Sequence, residues 1–319
     1  MPSPVPPPSP AGTQRSAGTL PPAGRYAPSP SGDLHLGNLR TAILAWVLAR
    51  RSGRAFRLRV EDLDRVREGS EARQLEDLEA IGLDWDGEVV HQSARADAYD
   101  AAIGDLADAG LVYECYCTRR EILEAPSAPH APSGAYPGTC RDLTAAQRAA
   151  GRERMRELRR EPALRLRTDV TEWTVHDLFA GTVTGGVDDL VLRRGDGVVA
   201  YNLAVVVDDA AQGVDQVTRA DDLLSSAPRQ AHLAHLLGYE QPEYAHVPLA
   251  VSPSGARLAK RDGAVTLRDR AERGEDAAAV VARIGDSLGV RDCSTAADVL
   301  EHWDPSTLAT TPWVVDLPA

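Results

Sequence analysis

The stretch Arg25-Tyr26-Ala27-Pro28-Ser29-Pro30-Ser31-Gly32-Asp33-Leu34-His35-Leu36-Gly37-Asn38 decides how this chain is read. A short strand, Arg25 to Ala27, runs into a turn rich in Pro, Ser and Gly. The turn delivers His-Leu-Gly-Asn to the start of a helix. Leu39, Ile43, Trp46 and Val47 recur there at roughly helical spacing, and the helix stops near Gly53. The first amides of such a helix lack internal partners and sit at the positive end of its dipole, so they attract anions. Gly37 is expected to allow close backbone approach to a ligand, and His35 to donate a hydrogen bond to a phosphate oxygen. For these four residues alone, an ordinary strand-to-helix turn is the competing reading.

Working outward, Ala55 to Val60 alternates apolar and basic residues and reads as a strand that ends in the acidic cluster Glu61-Asp62-Leu63-Asp64. A helix follows with Leu75, Leu78 and Ile81 on one face, closing at Gly82. Another spans about Ser93 to Ala109, with Ser93 as its N-cap and Tyr99, Ile103 and Leu106 inward. Strand–helix alternation implies a parallel sheet covered by helices. The pattern breaks at residue 111. The segment 111–189 holds three cysteines, a Pro-, Ala- and Ser-rich loop (125–137), an Arg-rich helical stretch from Leu143 to Arg160 and a strand-like Ala163 to Thr168. It is expected to be an insertion with its own small fold. The alternation resumes with the apolar run Val198 to Val207, a strand from Val214 to Arg219, a helix from about Ser226 to Leu237 and a strand-like His246 to Val251. The resulting division is a Pro-rich tail (1–24), two halves of one α/β domain (25–110 and 190–270), the insertion (111–189) and a short helical C-terminal part (271–319).

Bulk properties fit that division. The chain has 319 residues, 43% hydrophobic and 26% charged, which suits a globular protein of about two domains. A net charge of −12 argues against wholesale coating of nucleic acid, though not against one local basic patch. No stretch is long and apolar enough to span a bilayer. Residues 1–24 are too polar and Pro-rich to fold and lack a signal-peptide core, so a disordered tail in a cytoplasmic protein is expected; a misassigned start codon explains them as well. A reducing compartment makes disulfides unexpected.

Four constellations carry chemistry. Cys115-x-Cys117 and, further on, Tyr136-x-x-x-Cys140 offer three thiolates for zinc. Tyr136 or His130 could complete the set, and three reduced, partly buried thiols are the plainer alternative. Arg257-Leu258-Ala259-Lys260-Arg261 follows the turn Ser252 to Gly255 and suits a phosphate chain, or is a solvated basic loop. Arg25, Glu61, Tyr201 and Arg219 each follow a strand or sit beside an apolar run. At the carboxyl edge of a doubly wound sheet, two Arg and one Glu match a ligand with two carboxylates and one ammonium; each alone reads as a surface ion pair. Finally, Arg148, Arg152, Arg154, Arg156, Arg159 and Arg160 form either a nucleic-acid face or, with the interleaved Glu153, Glu157 and Glu161, a salt-bridged solvated helix.

Together these pieces resemble the class I glutamyl-tRNA synthetases. RYAPSPSGDLHLGNLRTA is similar to their opening motif, with HLGN standing for the HIGH element. VEDLDR resembles their strand-end acidic motif, and RLAKR sits where the KMSKS loop belongs, with Arg257 in place of its first Lys and Ala259 in place of its hydroxyl residue. YNLAVVVDDAAQGVDQVTRADDLL, the Cys-x-Cys…Tyr-x-x-x-Cys pattern and the short stretch after residue 270 resemble the truncated paralogues of that family that modify queuosine in tRNA(Asp). The resemblance implies a Rossmann-like catalytic domain interrupted by a zinc-bearing insertion of the acceptor-stem type, without an anticodon-binding domain. It implies that glutamate and ATP give glutamyl-adenylate and that the glutamyl group passes to the queuosine base. By the same resemblance, Arg25, Tyr26, Ala27, Pro28, Ser29, Glu61, Tyr201 and Arg219 hold glutamate. His35, Gly37, Asn38 and Lys260 serve ATP, with His35 and Lys260 catalytic and Mg2+ on the phosphates. One structural Zn2+ is held by Cys115, Cys117, Tyr136 and Cys140. A cytoplasmic monomer is expected. The rival readings are an ordinary synthetase acting on tRNA(Glu), a small-molecule adenylating enzyme of the same nucleotide-binding superfamily and a non-catalytic zinc-containing RNA-binding paralogue.

Overall fold

The alternation of strand and helix signals folds as their periods direct. The computed structural model describes residues 20–124, 135–258 and 265–316. In chain order the elements are β1 (Ala23–Tyr26), α1 (Leu36–Arg51), β2 (Ala55–Val60), α2 (Ser70–Ala80), β3 (Val90–His91), α3 (Ala96–Asp108), β4 (Val112–Cys115), α4 (Arg119–Glu124) and α5 (Ala145–Glu157). There follow β5 (Ala163–Leu166), β6 (Glu172–Asp177), β7 (Gly181–Gly186), β8 (Val191–Arg193), α6 (Tyr201–Ala211), β9 (Val214–Ala220), α7 (Ala227–Leu236), β10 (Glu243–Val247) and β11 (Ala250–Val251). The chain closes with α8 (Leu267–Ala271), α9 (Ala277–Ser287), α10 (Ala296–His302) and β12 (Trp313–Val314). Ala259, Lys260 and Arg261, His130 and residues 1–19 of the expected tail lie outside the described residues.

Among the described residues seven strands make the main sheet, in the order β3-β2-β1-β9-β10-β6-β7. All its pairs are parallel except the β6–β7 hairpin. From β1 the chain steps outward through β2 to β3 on one side, and it later places β9 and β10 on the other. The order therefore reverses between β1 and β9, where doubly wound sheets open a ligand crevice at the carboxyl ends of the strands. A second sheet, β4-β5-β8, is antiparallel. The segment 111–189 thus contributes to both sheets: β6 and β7 join the main one, while β8, beyond residue 189, joins the small one.

The core follows the hydrophobic pattern of α1. That helix is apolar around most of its circumference, so it needs cover on several sides. It packs on β1, β2 and β9, and α9 and α10 close over it. Leu36, Leu39, Ile43, Leu44 and Val47 are fully buried there with Val280, Val281, Ile284 and Trp303. The stretch after 270 therefore roofs the first helix. It is not wholly helical, because Trp313 and Val314 pair with Ala250 and Val251.

Several local expectations need correction. The helix expected from Ser93 starts at Ala96, after a 3-10 turn over Gln92–Arg95. Ser93 is not its N-cap, since its amide and hydroxyl both donate to Asp62. The single strand expected over His246 to Val251 is two, β10 and β11, the second turned away to meet β12. The first strand runs Ala23–Tyr26 rather than Arg25 to Ala27.

Candidate active site

The opening motif builds a rigid corner. His35 is the N-cap of α1: its Nδ1 accepts from the Asn38 amide at 3.2 Å, while the Asn38 side chain accepts from the His35 amide at 3.2 Å. This reciprocal capping box satisfies two amides that would otherwise lack partners. Because Nδ1 is an acceptor, the ring proton sits on Nε2, which is left as a donor. Burial, helped by Arg257, lowers the His35 pKa to about 4, so the ring is neutral near pH 7. From α2, Gln74 clamps the preceding turn by donating to the carbonyls of Ser29 at 3.1 Å and Gly32 at 2.6 Å. Gly37 is also required by packing within the chain. A Cβ there would lie 2.8 Å from the Ala250 Cβ and 3.1 Å from the His35 ring. The missing side chain makes room for β11 and for the capping imidazole.

The carboxyl ends of β1, β2, β9 and β10 bring the scattered polar residues together. Arg25 on β1 is buried; it donates to the Thr218 carbonyl at 2.9 Å and to Asp209 at 3.3 Å. Glu61 follows β2, and its amide donates to the Pro28 carbonyl at 3.0 Å, which ties the two strand ends to each other. Its carboxylate accepts from Arg59 at 3.3 Å. Burial raises the Glu61 pKa, opposed by Arg59 and Arg25. Burial, with Glu61 acting the same way, pushes the Tyr26 phenol far above its ordinary range. Tyr201, the first residue of α6, is 41% exposed, and its phenol lies within electrostatic reach of Glu61, Arg219 and Arg25. Ala27 is half-buried, Pro28 buried and Ser29 exposed along the strand-end turn.

Arg219 on β9 differs from Arg25. Its guanidinium donates to His246 Nε2 at 2.9 Å, to the Gln230 side-chain oxygen at 2.7 Å and to the Leu223 carbonyl at 3.3 Å. All three acceptors are neutral, so among the described residues no carboxylate is in hydrogen-bond contact with its charge. Arginine carries five N–H donors, which leaves two for a ligand. The site is therefore asymmetric. Arg25 pairs with Asp209 and Glu61 with Arg59, while among the described residues Arg219 pairs with no carboxylate.

Cys115, Cys117 and Cys140 converge between β4 and the loop leading to α5, with their sulfurs all within 4.8 Å of one another. Cys117 and Cys140 are 3.5 Å apart, and the Tyr136 oxygen lies 3.4 Å from Cys115 and 3.7 Å from Cys117. The Cys140 amide donates to that oxygen at 2.8 Å. A tetrahedral zinc with Zn–S of about 2.3 Å needs ligand separations of about 3.5–3.8 Å, so these spacings fit the ion. Hydrogen bonds from Cys117 and Cys140 hold the Cys115 thiol far below the ordinary thiol range. Arg165 stacks 3.6 Å from the centre of the Tyr136 ring, and the Tyr136 amide donates to Asp188.

The Arg-rich helix carries ion pairs on its surface. Arg152 pairs with Glu114, Arg154 with Glu121 and Arg156 with Glu153. Arg257, exposed at the start of the basic loop, pairs with Asp222 at 2.9 Å. Among the described residues no helix is long and apolar enough to cross a membrane.

A family model for tRNA synthetases class I (E and Q), catalytic domain, matches residues 23–315. A Glutamyl-Q tRNA(Asp) synthetase of Nocardia farcinica (strain IFM 10152) is 61% identical over 299 residues, covering 94% of each chain. The chain belongs to the class I E and Q tRNA synthetases, in their glutamyl-Q tRNA(Asp) synthetase branch. A further Glutamyl-Q tRNA(Asp) synthetase, from Cutibacterium acnes (strain DSM 16379 / KPA171202), is 52% identical over 88% of this chain and 80% of its own. A Glutamate--tRNA ligase of Dichelobacter nodosus (strain VCS1703A) is 39% identical over 88% of this chain but only 60% of its own. The fold also matches a glutamate tRNA ligase from Elizabethkingia meningosepticum, solved in complex with its amino acid. That match has a TM-score of 0.75 and 23% identity over 92% of this chain and 67% of the other.

Sequence reading missed the groups that position the synthetase's site. Arg59 is fully buried and bridges Asp209 at 2.7 Å, Gln212 at 2.9 Å and Glu61. Asp208, also fully buried, accepts from Gln92 and Tyr99 at 2.8 Å each and pairs with Arg95. The paired Asp208-Asp209 inside the apolar run of α6 was the available signal, because a charge at a core position demands a partner.

Proposed function

We propose that this synthetase activates L-glutamate with ATP to glutamyl-adenylate and passes the glutamyl group to the queuosine base of tRNA(Asp). The observation that carries the reading is Arg219, held at the switch point by neutral acceptors and, among the described residues, paired with no carboxylate. A second carboxylate on the substrate is the group that completes it. Glu61, with Tyr201 nearby, receives the ammonium, and Arg25 with the turn Tyr26-Ala27-Pro28-Ser29 forms the wall opposite.

The reaction then follows from charge. The α-carboxylate oxygen must form a bond to the α-phosphorus in line as the bond to pyrophosphate breaks, and two anions repel. The protein's task is to position them and to neutralise charge. The Nε2–H of His35, the Gly37 amide at the start of α1 and Lys260 stabilise the phosphate oxygens, while Asn38, whose amide is spent on the cap, holds His35 in place beside the ATP phosphates. Mg2+ arriving with ATP would take up further phosphate charge. In the second step a queuosine hydroxyl attacks the activated acyl carbon and AMP leaves. Zinc would be held by Cys115, Cys117, Tyr136 and Cys140 and would staple the small sheet.

The name of the Nocardia relative, which matches over 94% of each chain, supports the acceptor assignment. The test offers labelled glutamate to queuosine-containing tRNA(Asp), the same tRNA lacking queuosine, and tRNA(Glu). Label is expected on the first alone. Label on tRNA(Glu), or on tRNA(Asp) regardless of queuosine, would return the enzyme to the ordinary synthetases.

A further inference from the structure

Behind Arg219 lies a buried chain of polar groups. Asp177 ends β6 in the hairpin that the insertion adds to the main sheet. Its Oδ1 accepts from the amides of Phe179 at 2.9 Å and Ala180 at 2.8 Å. Its Oδ2 accepts from the His246 amide at 3.0 Å and from His246 Nδ1 at 2.6 Å. The far side of the imidazole, Nε2, meets Arg219 Nε at 2.9 Å. Gln230 takes another Arg219 N–H and passes its own amide to Asn202 at 3.0 Å. Asp177, His246, Arg219 and Gln230 are all buried.

The chemistry of the pair forces one tautomer. Guanidinium has donors only, so Nε2 of His246 must be an unprotonated acceptor. The ring proton then sits on Nδ1, where Asp177 accepts it. A carboxylate placed directly on Arg219 would have oriented it equally well but would have cancelled its charge. A neutral imidazole orients the guanidinium and leaves the charge free. This is the opposite of Arg25, which pairs with Asp209.

We infer that Asp177 and His246 form a positioning dyad that aims Arg219 at the second carboxylate of the amino-acid substrate while keeping its charge uncompensated. The inference rests on the glutamate reading above and names the groups that give it specificity. Protonating His246 would set a donor and a second cation against Arg219. The charged and titratable groups facing the ring are Asp177 from β6, Arg219 from β9, Arg25 from β1 and Tyr244 on its own strand, stacked at 5.8 Å. Burial keeps the imidazole below its ordinary range despite the Asp177 hydrogen bond.

The test is amino-acid-dependent pyrophosphate exchange with His246→Phe, which keeps the ring and removes the acceptor, and with His246→Gln, whose oxygen can reach the Nε2 position. His246→Phe should raise KM for glutamate about ten- to hundredfold, the scale of one hydrogen bond to a charged group, and should narrow the preference for glutamate over glutamine. KM for ATP should stay unchanged, and His246→Gln should recover most of the loss. Nitrogen-15 spectra of wild-type enzyme labelled at histidine should show His246 protonated on Nδ1 alone. In Asp177→Asn, which turns an amide donor toward the ring or toward the β6 turn, that pattern should be lost. Unchanged KM for glutamate in His246→Phe, parallel rises in KM for glutamate and ATP, or a proton on Nε2 in the wild type would each overturn the dyad. Wild-type enzyme that exchanges another amino acid in preference to glutamate would instead overturn the reading beneath it. The wild-type spectrum decides the tautomer even if a variant fails to fold.

Discussion

His35 uses the two edges of one ring for different tasks. Nδ1 caps α1, which requires it to stay unprotonated, and Nε2–H is left for the phosphate contact proposed above. Protonation would put a donor against the Asn38 amide and break the cap. Burial, then Arg257, lower the folded-state pKa from 6.5 to about 4. Between those values the unfolded chain binds more protons than the folded one, so stability is full above about pH 6.5 and falls as pH drops toward 4. Denaturant unfolding of wild type and His35→Asn from pH 7.5 to 4.5 measures this. Wild type should lose more stability over the range than the variant, and parallel losses would remove His35 from the account. That His35 caps the helix was legible only in part. Its place before an apolar helical period marked the turn, but which nitrogen faces the helix depends on ring orientation, which spacing does not encode.

At the scale of elements, α1 and β11 meet through Gly37. A side chain on Gly37 would run into the Ala250 Cβ and the His35 ring. Gly37→Ala should destabilise the protein by about 1–3 kcal/mol and displace the cap, because neither the Ala250 methyl nor the imidazole can swing away. Ala250→Gly in the same chain should recover part of the loss. Thermal unfolding of the two single variants and the double variant checks the coupling, and additive losses would show that the positions do not touch. Both residues are small and apolar and lie 213 positions apart (250 minus 37). Nothing in either local pattern announces their contact. The helix itself was legible, since its apolar period and Gly53 mark its extent. The start of α3 was not, because Asp62, from a distant turn, takes the Ser93 donors that would otherwise have capped it.

In the whole molecule the three-stranded sheet draws on two clusters: Leu166 and Leu192 pack with Tyr99, Ile103 and Leu203, and Cys115, on β4, joins a smaller one. The smaller cluster is built around Cys115, Tyr116, Tyr136, Cys140 and Met155, and the metal-ligand spacings occupy its centre. Protein purified without chelator should contain about one zinc per chain, and removing it should lower the unfolding temperature. Tyr136→Phe should lower occupancy, and full occupancy in that variant would exclude the phenol as a ligand. Periodicity and motif order were enough by themselves to set the parallel α/β class, the strand-end placement of Arg25, Glu61 and Arg219, and the grouping of the cysteines. These depend on neighbours near in sequence or on motifs whose spacing is rigid. Only the tertiary structure decided that Arg25 pairs with a carboxylate while, among the described residues, Arg219 does not, that Arg59, Asp208 and Asp209 brace the crevice, and that Asp177 reaches across from the inserted hairpin to His246. Those facts turn on which buried charge finds which partner. In a low-dielectric interior that choice is set by a few ångströms between strands far apart in the chain.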